Sequence, residues 1–160
     1  MPILSYPDFL NTDFGHWLDE RMNTDQTDVV HDLLAYLAER MTAMNKEQRT
    51  EVKGFLTWLE RDIGANVDDL SNKTKLTAYH EHDFNTFLDV LRQNRRRLTI
   101  NPDTRTAQEA IEHEFTTSLT KLTPLKAKIA ATDHVINFVV YRLYGLTEDE
   151  VALVEETTST

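Results

Sequence analysis

Apolar residues recur at intervals of three and four along most of the chain, and this spacing predicts amphipathic helices. Strict alternation of apolar and polar positions, which would indicate a half-buried strand, forms no convincing pattern. The first long helical pattern begins at Thr27 and extends to about residue 44. Its predicted inward face consists of Val29, Leu33, Leu37 and either Met41 or Met44.

A second helix is predicted after Asn45, which reads as an N-cap with Gln48 at the third helical position. Gly64 follows the last apolar position of this pattern and predicts its end. The two helices are therefore expected to form an antiparallel hairpin. The predicted inward residues of the second helix are Val52, Phe55, Leu56 and Leu59.

Residues 65–82 have no helical period, so we expect an irregular connector with a short turn at Val67–Leu70. Asp83 then reads as the N-cap of a helix that ends in a run of arginines. Pro102 predicts a break, because proline disfavours helical geometry at the residue before it. The inward residues of the helix after Asp83 are predicted to be Phe84, Phe87, Leu88 and Leu91.

A helical pattern extends from about Thr106 to Gly145, with Pro124 in its middle. Pro124 either kinks one long helix or is the first residue of a new helix capped by Thr123. We favour the new helix. Its predicted inward residues are Leu125, Ile129, Ile136, Val139, Val140 and Leu143.

The stretch "YGLTEDEV" predicts a tight corner between two helices. Gly145 can adopt the left-handed conformation that ends the first helix. Thr147 and Glu150 have the spacing of a capping box at the start of the second. Leu146 and Val151 then occupy the positions of a hydrophobic staple.

These patterns predict an all-α protein, a bundle of about five helices around one core. It contains helix hairpins and a short C-terminal helix after the glycine-capped corner. Residues 1–26 are expected to be an irregular lead-in packed on the bundle through Phe9, Phe14 and Trp17. Residues 27–156 would form the helical domain, and residues 157–160 a disordered tail.

The chain has 27 acidic and 17 basic residues, and this net charge of −10 argues against nucleic-acid binding over its whole surface. It contains no cysteine, so neither disulfides nor thiol chemistry are expected. No apolar run reaches the ~20 residues of a membrane span, and the N-terminus does not resemble a signal peptide. We therefore expect a cytoplasmic protein without membrane contact.

One segment is strongly basic. Arg92, Arg95 and Arg96 share one side of a predicted helix, and only one acid, Asp103, lies among the arginines. A basic run at a helix end is usually a solvated face that complements the helix dipole. It can also contact nucleic-acid phosphates. The candidate nucleic-acid-binding residues, here called the basic strip, are Lys73, Lys75, Arg92, Arg95, Arg96, Arg97 and Arg105.

A partial nuclease-like pattern also occurs. Asp8 after Pro7, with Glu51 and Lys53 far downstream, has the loose spelling of a nuclease metal site. Such sites need carboxylates that converge from strands, whereas Glu51 and Lys53 are predicted on a helix and face apart. We therefore favour a solvated helix face.

The segment "YHEHD" offers His80, His82 and Asp83 as metal ligands, but no clear further ligand completes a site. The segment "NPDT" begins like the Asn-Pro-Pro-Tyr loop of DNA methyltransferases, yet the second proline and the aromatic residue are missing. Helix caps and a loop explain both segments. We therefore predict no catalytic residue, no metal site and no cofactor in this chain.

The C-terminal sequence "TDHVINFVVYRLYGLTEDEVALVEE" resembles the ending of large DNA adenine methyltransferases, especially the fused restriction–modification enzymes of type IIG. A weaker resemblance extends back to about Val29, so it covers residues 29–156. The matching positions are Thr132, Asp133, Ile136, Asn137, Val140, Tyr141, Leu143, Tyr144, Gly145, Leu146, Thr147, Glu150, Val154 and Glu155.

The resemblance implies a non-catalytic C-terminal helical domain that supports DNA binding or target recognition. The parent enzyme would bind S-adenosylmethionine, and a nuclease in it would add a divalent metal, through parts absent from this chain. Its partners would be the rest of that protein and DNA. The alternative is a protein–protein docking or dimerisation module, for example a homodimer, without DNA contact. We predict Tyr141 and Tyr144 as core residues and not as rings that stack on bases.

Overall fold

The computed structural model describes residues 4–159, and this range contains helices and no strand. The all-α prediction is therefore confirmed. Short 3-10 turns occur at Val67–Asp69, Tyr79–Glu81 and Arg95–Arg97. The helices are α1 (Tyr6–Leu10), α2 (Asp13–Asn23), α3 (Thr27–Ile63), α4 (Lys73–Thr77), α5 (Phe84–Gln93), α6 (Arg105–Leu143) and α7 (Glu148–Thr158).

The predicted irregularity of residues 1–26 is wrong for the described part of that segment, because α1 and α2 occupy most of it. Local caps explain both helices: the Ser5 side chain accepts a hydrogen bond from Asp8 N, and the Thr12 side chain accepts one from Gly15 N. At the other end, α7 continues to Thr158 through part of the predicted disordered tail. Residues 1–3 and 160 of these two predicted segments lie outside the described residues.

The predicted break at Asn45 is wrong, and so is the hairpin built on it. Asn45 lies inside α3, which is a single helix of 37 residues. An asparagine costs a helix interior only about 0.5 kcal/mol relative to alanine. The buried Met44 beside it gains more than that from packing, so a favourable cap sequence does not end the helix.

Pro124 also lies inside one helix, α6, and does not start a new one. Proline removes one backbone hydrogen bond and crowds the preceding turn, at a cost of about 3 kcal/mol. On either side of it Leu122 and Leu125 are buried, and each contributes roughly 1.5–3 kcal/mol by burial. Packing of this helix face therefore offsets the proline.

The connector prediction is partly confirmed. A 3-10 turn at Val67–Asp69 lies where a short turn was expected. The residues that follow are more regular than predicted, because α4 and a second 3-10 turn form before Asp83. Leu76 of α4 and Tyr79 of that turn are fully buried, so tertiary packing orders a segment without a helical period.

The prediction of one core is also wrong, because the chain forms two compact units. Unit 1 comprises Met1–Met44 and Ala127–Thr160, and unit 2 comprises Asn45–Lys126. The boundaries do not coincide with the predicted division at residue 26. They lie beside Asn45 and near Pro124, the two positions at which the sequence predicted helix ends. No described helix is both long and apolar enough to cross a membrane.

Unit 1 is built around aromatic residues from the first and last parts of the chain. The ring of Phe138 lies 5.0 Å from that of Phe9 and 5.6 Å from that of Tyr6. Arg142 of α6 forms an ion pair with Asp19 of α2 at the edge of this cluster. The buried members of the core are Tyr6, Phe9, Leu18, Val30, Phe138, Val139 and Val151.

The corner after α6 forms as predicted. Gly145 has a φ of 67°, and the N–H groups of Gly145 and Leu146 donate to the carbonyls of Arg142 and Tyr141. This is the Schellman arrangement that a left-handed residue permits. Thr147 and the third helical residue of α7 make both hydrogen bonds of the capping box. Leu146 packs against the unit 1 core with Val151, in agreement with the predicted staple.

Unit 2 is centred on Phe55 of α3, whose ring lies 4.1 Å from Tyr79, 5.8 Å from Phe87 and 6.3 Å from Phe115. The Tyr79 hydroxyl pairs with the buried Ser118 hydroxyl at 2.6 Å, so burial leaves neither group without a partner. Burial raises the pKa of Tyr79 to about 12. Within this unit α3 and α6 run antiparallel, because Glu51 lies beside Lys121 while Phe55, further along α3, contacts Phe115.

Candidate nucleic-acid interface

Four of the seven predicted strip residues lie together at the end of α5. They line a polar, solvent-open cavity of about 490 Å³, here called the arginine depression. Ser71, Gln93 and Asn94 complete its wall. Its arginines are Arg92, Arg95, Arg96 and Arg97.

Asn94 fixes the backbone on which these arginines are carried. It is buried, and its Oδ1 accepts the N–H of Ser71 at 2.9 Å. Its Nδ2 donates to the carbonyls of Ser71 at 3.0 Å and Val90 at 2.8 Å. This side chain therefore ties the connector before α4 to the end of α5. Asn94 is not among the residues predicted from sequence, where its only signal is its position after the last residue of α5.

Carboxylates already occupy part of the depression. Arg92 donates to Asp103 at 2.8 Å and to Asp89 at 3.1 Å, and these hydrogen bonds raise the pKa of Arg92. Arg95 lies 3.7 Å from the second oxygen of Asp103. From sequence, Asp103 was recognisable only as the single acid near the arginines, and these contacts were not predicted.

The other two arginines have no carboxylate partner among the described residues. Arg97 donates from Nη1 to the carbonyl of Asp69 at 2.5 Å, and Arg96 is exposed. A guanidinium presents several N–H donors in one plane, so both side chains retain donors for an anion. The positive potential of the depression therefore depends mainly on these two residues.

The remaining three predicted residues do not line the depression. Lys73 lies 3.5 Å from Asp68, and Arg105 donates to Glu109 at 2.6 Å. Lys75 is exposed on α4. The strip predicted from sequence is thus one cluster of four arginines with three cations outside it.

The net negative charge of the protein belongs to one unit. Unit 1 has 14 acidic and 4 basic residues, a net charge of −10, whereas unit 2 has 13 of each and is neutral. The net charge that argued against nucleic-acid binding therefore belongs entirely to unit 1. Unit 2, which carries the arginine depression, has no net negative charge of its own that would repel an anion.

The two segments with candidate metal or catalytic residues form structural contacts. Asp83 caps α5 by accepting the N–H of Thr86 at 2.7 Å, as predicted. His80 Nδ1 pairs with Lys126 Nζ at 3.0 Å. Thr104, in the Asn101 segment, caps the start of α6 through Ala107 N. Across residues 4–159, no group of three His, Asp or Glu side chains could hold a metal ion.

The nuclease-like spelling is divided between the units, with Asp8 in unit 1 and both Glu51 and Lys53 in unit 2. Glu51 faces α6, where its carboxylate lies 3.4 Å from Lys121 Nζ. Lys53 is exposed. The helical prediction for these two residues is confirmed, and so is their placement on different sides of α3.

The two tyrosines of the corner differ from each other. Tyr141 is half-buried and meets the Tyr6 ring edge-on at 5.6 Å, as expected of a core aromatic. The prediction that Tyr144 is a core residue is wrong, because this side chain is 75% exposed. Tyr144 is the last residue before Gly145. Here the chain turns away from the face of α6 that packs in the unit 1 core.

His80 predicts a measurable pH dependence of unit 2. Burial, and then the positive charge of Lys126, lower the pKa of His80, while Glu81 opposes this effect. The folded state therefore disfavours protonated His80, and stability is lost as pH falls below the ordinary value of about 6.5. Denaturant unfolding should show that the free energy of unfolding falls more between pH 7.5 and pH 5 for the wild type than for His80→Gln.

The matched control for this measurement is His113→Gln, which removes an exposed histidine from the same unit. It should retain the wild-type loss of stability between the two pH values. Equal losses for wild type and His80→Gln would show that His80 makes no contribution to the pH dependence.

Fold and site define an all-helical protein with two compact units and a cluster of arginines on the neutral unit. The chain belongs to the DUF8810 family, a domain of unknown function, whose profile matches residues 27–140. No curated protein and no solved structure matches it. The matched range includes α3, α4, α5 and all but the last three residues of α6.

Proposed function

We propose that the chain is a non-catalytic helical domain that supports DNA binding in a cytoplasmic DNA adenine methyltransferase or type IIG restriction–modification protein. The observation that carries the DNA contact is the arginine depression on a unit without net charge. S-adenosylmethionine, and the divalent metal of a nuclease, would be bound by the rest of that protein.

The chemistry of the depression suits a phosphate. Arg96 and Arg97 retain donors, and an arginine can bind two phosphate oxygens at once through parallel N–H groups. Contacts of this kind position a protein on DNA and increase affinity, but they read no base sequence. The proposed role is therefore support for a recognition element elsewhere.

The restriction–modification context depends on the resemblance of residues 29–156, which is strongest over 132–156. The family description assigns no activity, and the family profile ends before the corner at Gly145. Context and DNA contact are thus separate parts of the proposal. Sequencing of the neighbouring reading frame tests the context, because a methyltransferase core should be encoded in the same frame or the adjacent one.

The DNA contact predicts a steep dependence of binding on salt. Titration of duplex DNA at about 50 mM and 200 mM salt should show affinity falling as salt rises, with a slope of about −0.9 per phosphate contact in a double-logarithmic plot. The triple variant Arg95→Ala, Arg96→Ala, Arg97→Ala should lose detectable binding. Fluorescence anisotropy with a labelled duplex measures both quantities.

Two controls separate the depression from a general effect of charge. Changing Lys46, Arg61 and Lys128 together to alanine removes the same charge from other exposed positions and should leave most of the affinity. Asp103→Asn should strengthen binding because it frees Arg95 and removes one of the two carboxylate contacts of Arg92. Glu112→Gln, which removes another exposed acid, should have a smaller effect. Absence of wild-type binding at about 50 mM salt would reject direct DNA contact.

A second candidate function is protein docking or dimerisation, and the surface of unit 1 favours it. Large apolar side chains that are at least 39% exposed occur only in this unit among the described residues. Isolated exposed apolar residues are common, but this acidic unit also carries neighbouring ones on α7. The residues are Leu4, Tyr36, Tyr144, Leu153 and Val154.

A further inference from the structure

A groove along the second half of α3 forms a candidate docking site within unit 2. It has a volume of about 440 Å³ and is open to solvent. Val52 and Leu56 form its apolar part, and His80 lies at one side. The sequence predicted that Val52 and Leu56 face the core, but the structure leaves both only half-buried. We call this surface the α3 groove.

Two cations border the apolar part of the α3 groove. Arg49 and Lys53 are exposed, lie one helical turn apart, and form no ion pair with any described residue. Glu60 also lines the groove, but its carboxylate accepts the N–H of Val67 at 3.1 Å. The groove thus combines apolar area with two available positive charges, which suits an apolar segment flanked by acids.

A segment of that kind is exposed on α7 of unit 1. Val151 points into the core, whereas the neighbouring Leu153 and Val154 are 66% and 39% exposed. Both side chains therefore leave apolar area open to solvent, and Leu153 leaves the larger share. On α7, Leu153 lies nearly opposite the buried Val151, and Val154 lies between them at the edge of the packed face.

Acidic residues surround this apolar pair. Asp149, Glu150 and Glu156 lie three or four positions from Leu153 or Val154, and residues at that spacing are neighbours on a helix surface. All three acids are exposed. The pattern of α7 is therefore the complement of the α3 groove, in which Arg49 and Lys53 lie beside the apolar Val52 and Leu56.

We propose that α7 of one copy of this chain docks into the α3 groove of a second copy. Leu153 and Val154 contact Val52 and Leu56, and the acids of α7 face Arg49 and Lys53. Two such contacts, one in each direction, close a two-fold dimer. The occupant is a second copy because the two complementary surfaces belong to the same chain. This inference rests on the docking function and is independent of DNA binding.

A charge-exchange experiment with the full chain tests the proposal. Arg49→Glu with Lys53→Glu reverses the groove, and Asp149→Lys with Glu156→Lys reverses α7. In each variant alone, like charges face each other at both contacts. Sedimentation velocity should therefore show monomers at concentrations at which the wild type dimerises. A one-to-one mixture places opposite charges at both contacts again and should restore the dimer. Each reversal should weaken self-association at least tenfold.

Leu153→Ser tests the apolar contact with a side chain that is exposed in the monomer, so folding should be unaffected. Circular dichroism should show wild-type helicity for all variants, while Leu153→Ser shifts the monomer–dimer midpoint to higher concentration. A matched change, Ala152→Ser on the same helix, should leave the midpoint unchanged.

Wild-type monomers at every concentration, or reversed variants that still dimerise alone, would overturn the proposal. If the Arg49→Glu, Lys53→Glu variant loses DNA binding while its self-association equals that of the wild type, these residues bind nucleic acid, and the proposal is also overturned.

Discussion

Replacing Phe55 by alanine is expected to lower the free energy of unfolding by about 3–5 kcal/mol. Phe55 is buried at the centre of unit 2, where its ring contacts those of Tyr79, Phe87 and Phe115. Truncation removes its own burial and also leaves a cavity that these rings fill only in part. Urea unfolding followed by circular dichroism measures the loss as a lower midpoint.

Tyr36→Ala is the control for Phe55→Ala, because it removes an aromatic ring of similar size from the same helix, α3. Tyr36 is 58% exposed, so its removal should change stability by no more than about 0.5 kcal/mol. A loss at Phe55 as small as that at Tyr36 would mean that the aromatic cluster does not hold unit 2 together.

The helical pattern predicted the fold class because apolar spacing is a local property that tertiary packing rarely reverses. Phe55, Leu59 and Phe87 were expected on inward faces and are buried. The corner at Gly145 was predicted in detail, since its cap, box and staple all lie within seven residues. Such short-range patterns are determined by the backbone geometry of neighbouring residues.

The helix boundaries at Asn45 and Pro124 could not be predicted in the same way. A cap sequence or a proline changes local stability by about 0.5–3 kcal/mol, whereas packing of the residues around it contributes as much or more. The local signals therefore identified residues that favour a helix end, but the helices continue through both positions. Both positions nevertheless lie close to the boundaries between the two packed units.

The candidate site shows the same limit. Arg95, Arg96 and Arg97 are adjacent in sequence, so their proximity was certain in advance. The contacts that shape the depression join Asn94 to Ser71 and Arg92 to Asp103, which are 23 and 11 residues apart. No periodicity encodes such pairs. Consequently the sequence predicted which cations are near one another, but not which of them are already neutralised by carboxylates.

The charge difference between the units connects the two proposed surfaces. An acidic unit 1 repels DNA but attracts a basic groove, while neutral unit 2 carries both the arginine depression and the α3 groove. A dimer formed through α7 and the α3 groove would leave the arginine depression outside the contact residues. Dimerisation and DNA binding therefore predict separate sets of sensitive residues, and variants in one set should not affect the other process.

Gly64→Ala is expected to destabilise unit 2 by more than the ~1–3 kcal/mol that a left-handed conformation costs a residue with a side chain. Gly64 ends α3 with a φ of 66°. A Cβ at this position would also overlap the side chain of Thr99. Thr99 cannot easily move away, because its N–H and hydroxyl both donate to the carbonyl of Ile63, at 2.9 and 3.1 Å. The left-handed backbone conformation and the collision with Thr99 therefore both destabilise Gly64→Ala.

Gly54→Ala provides the opposite case on the same helix. A Cβ at Gly54 would have no neighbour within 4 Å, and the residue lies inside α3, where alanine is favoured over glycine by about 1 kcal/mol. This substitution should therefore raise the urea midpoint, whereas Gly64→Ala should lower it. The same added methyl group then gives opposite signs, which separates helix propensity from backbone strain. A Gly64→Ala variant as stable as the wild type would show that neither the left-handed φ nor the Thr99 contact constrains the end of α3.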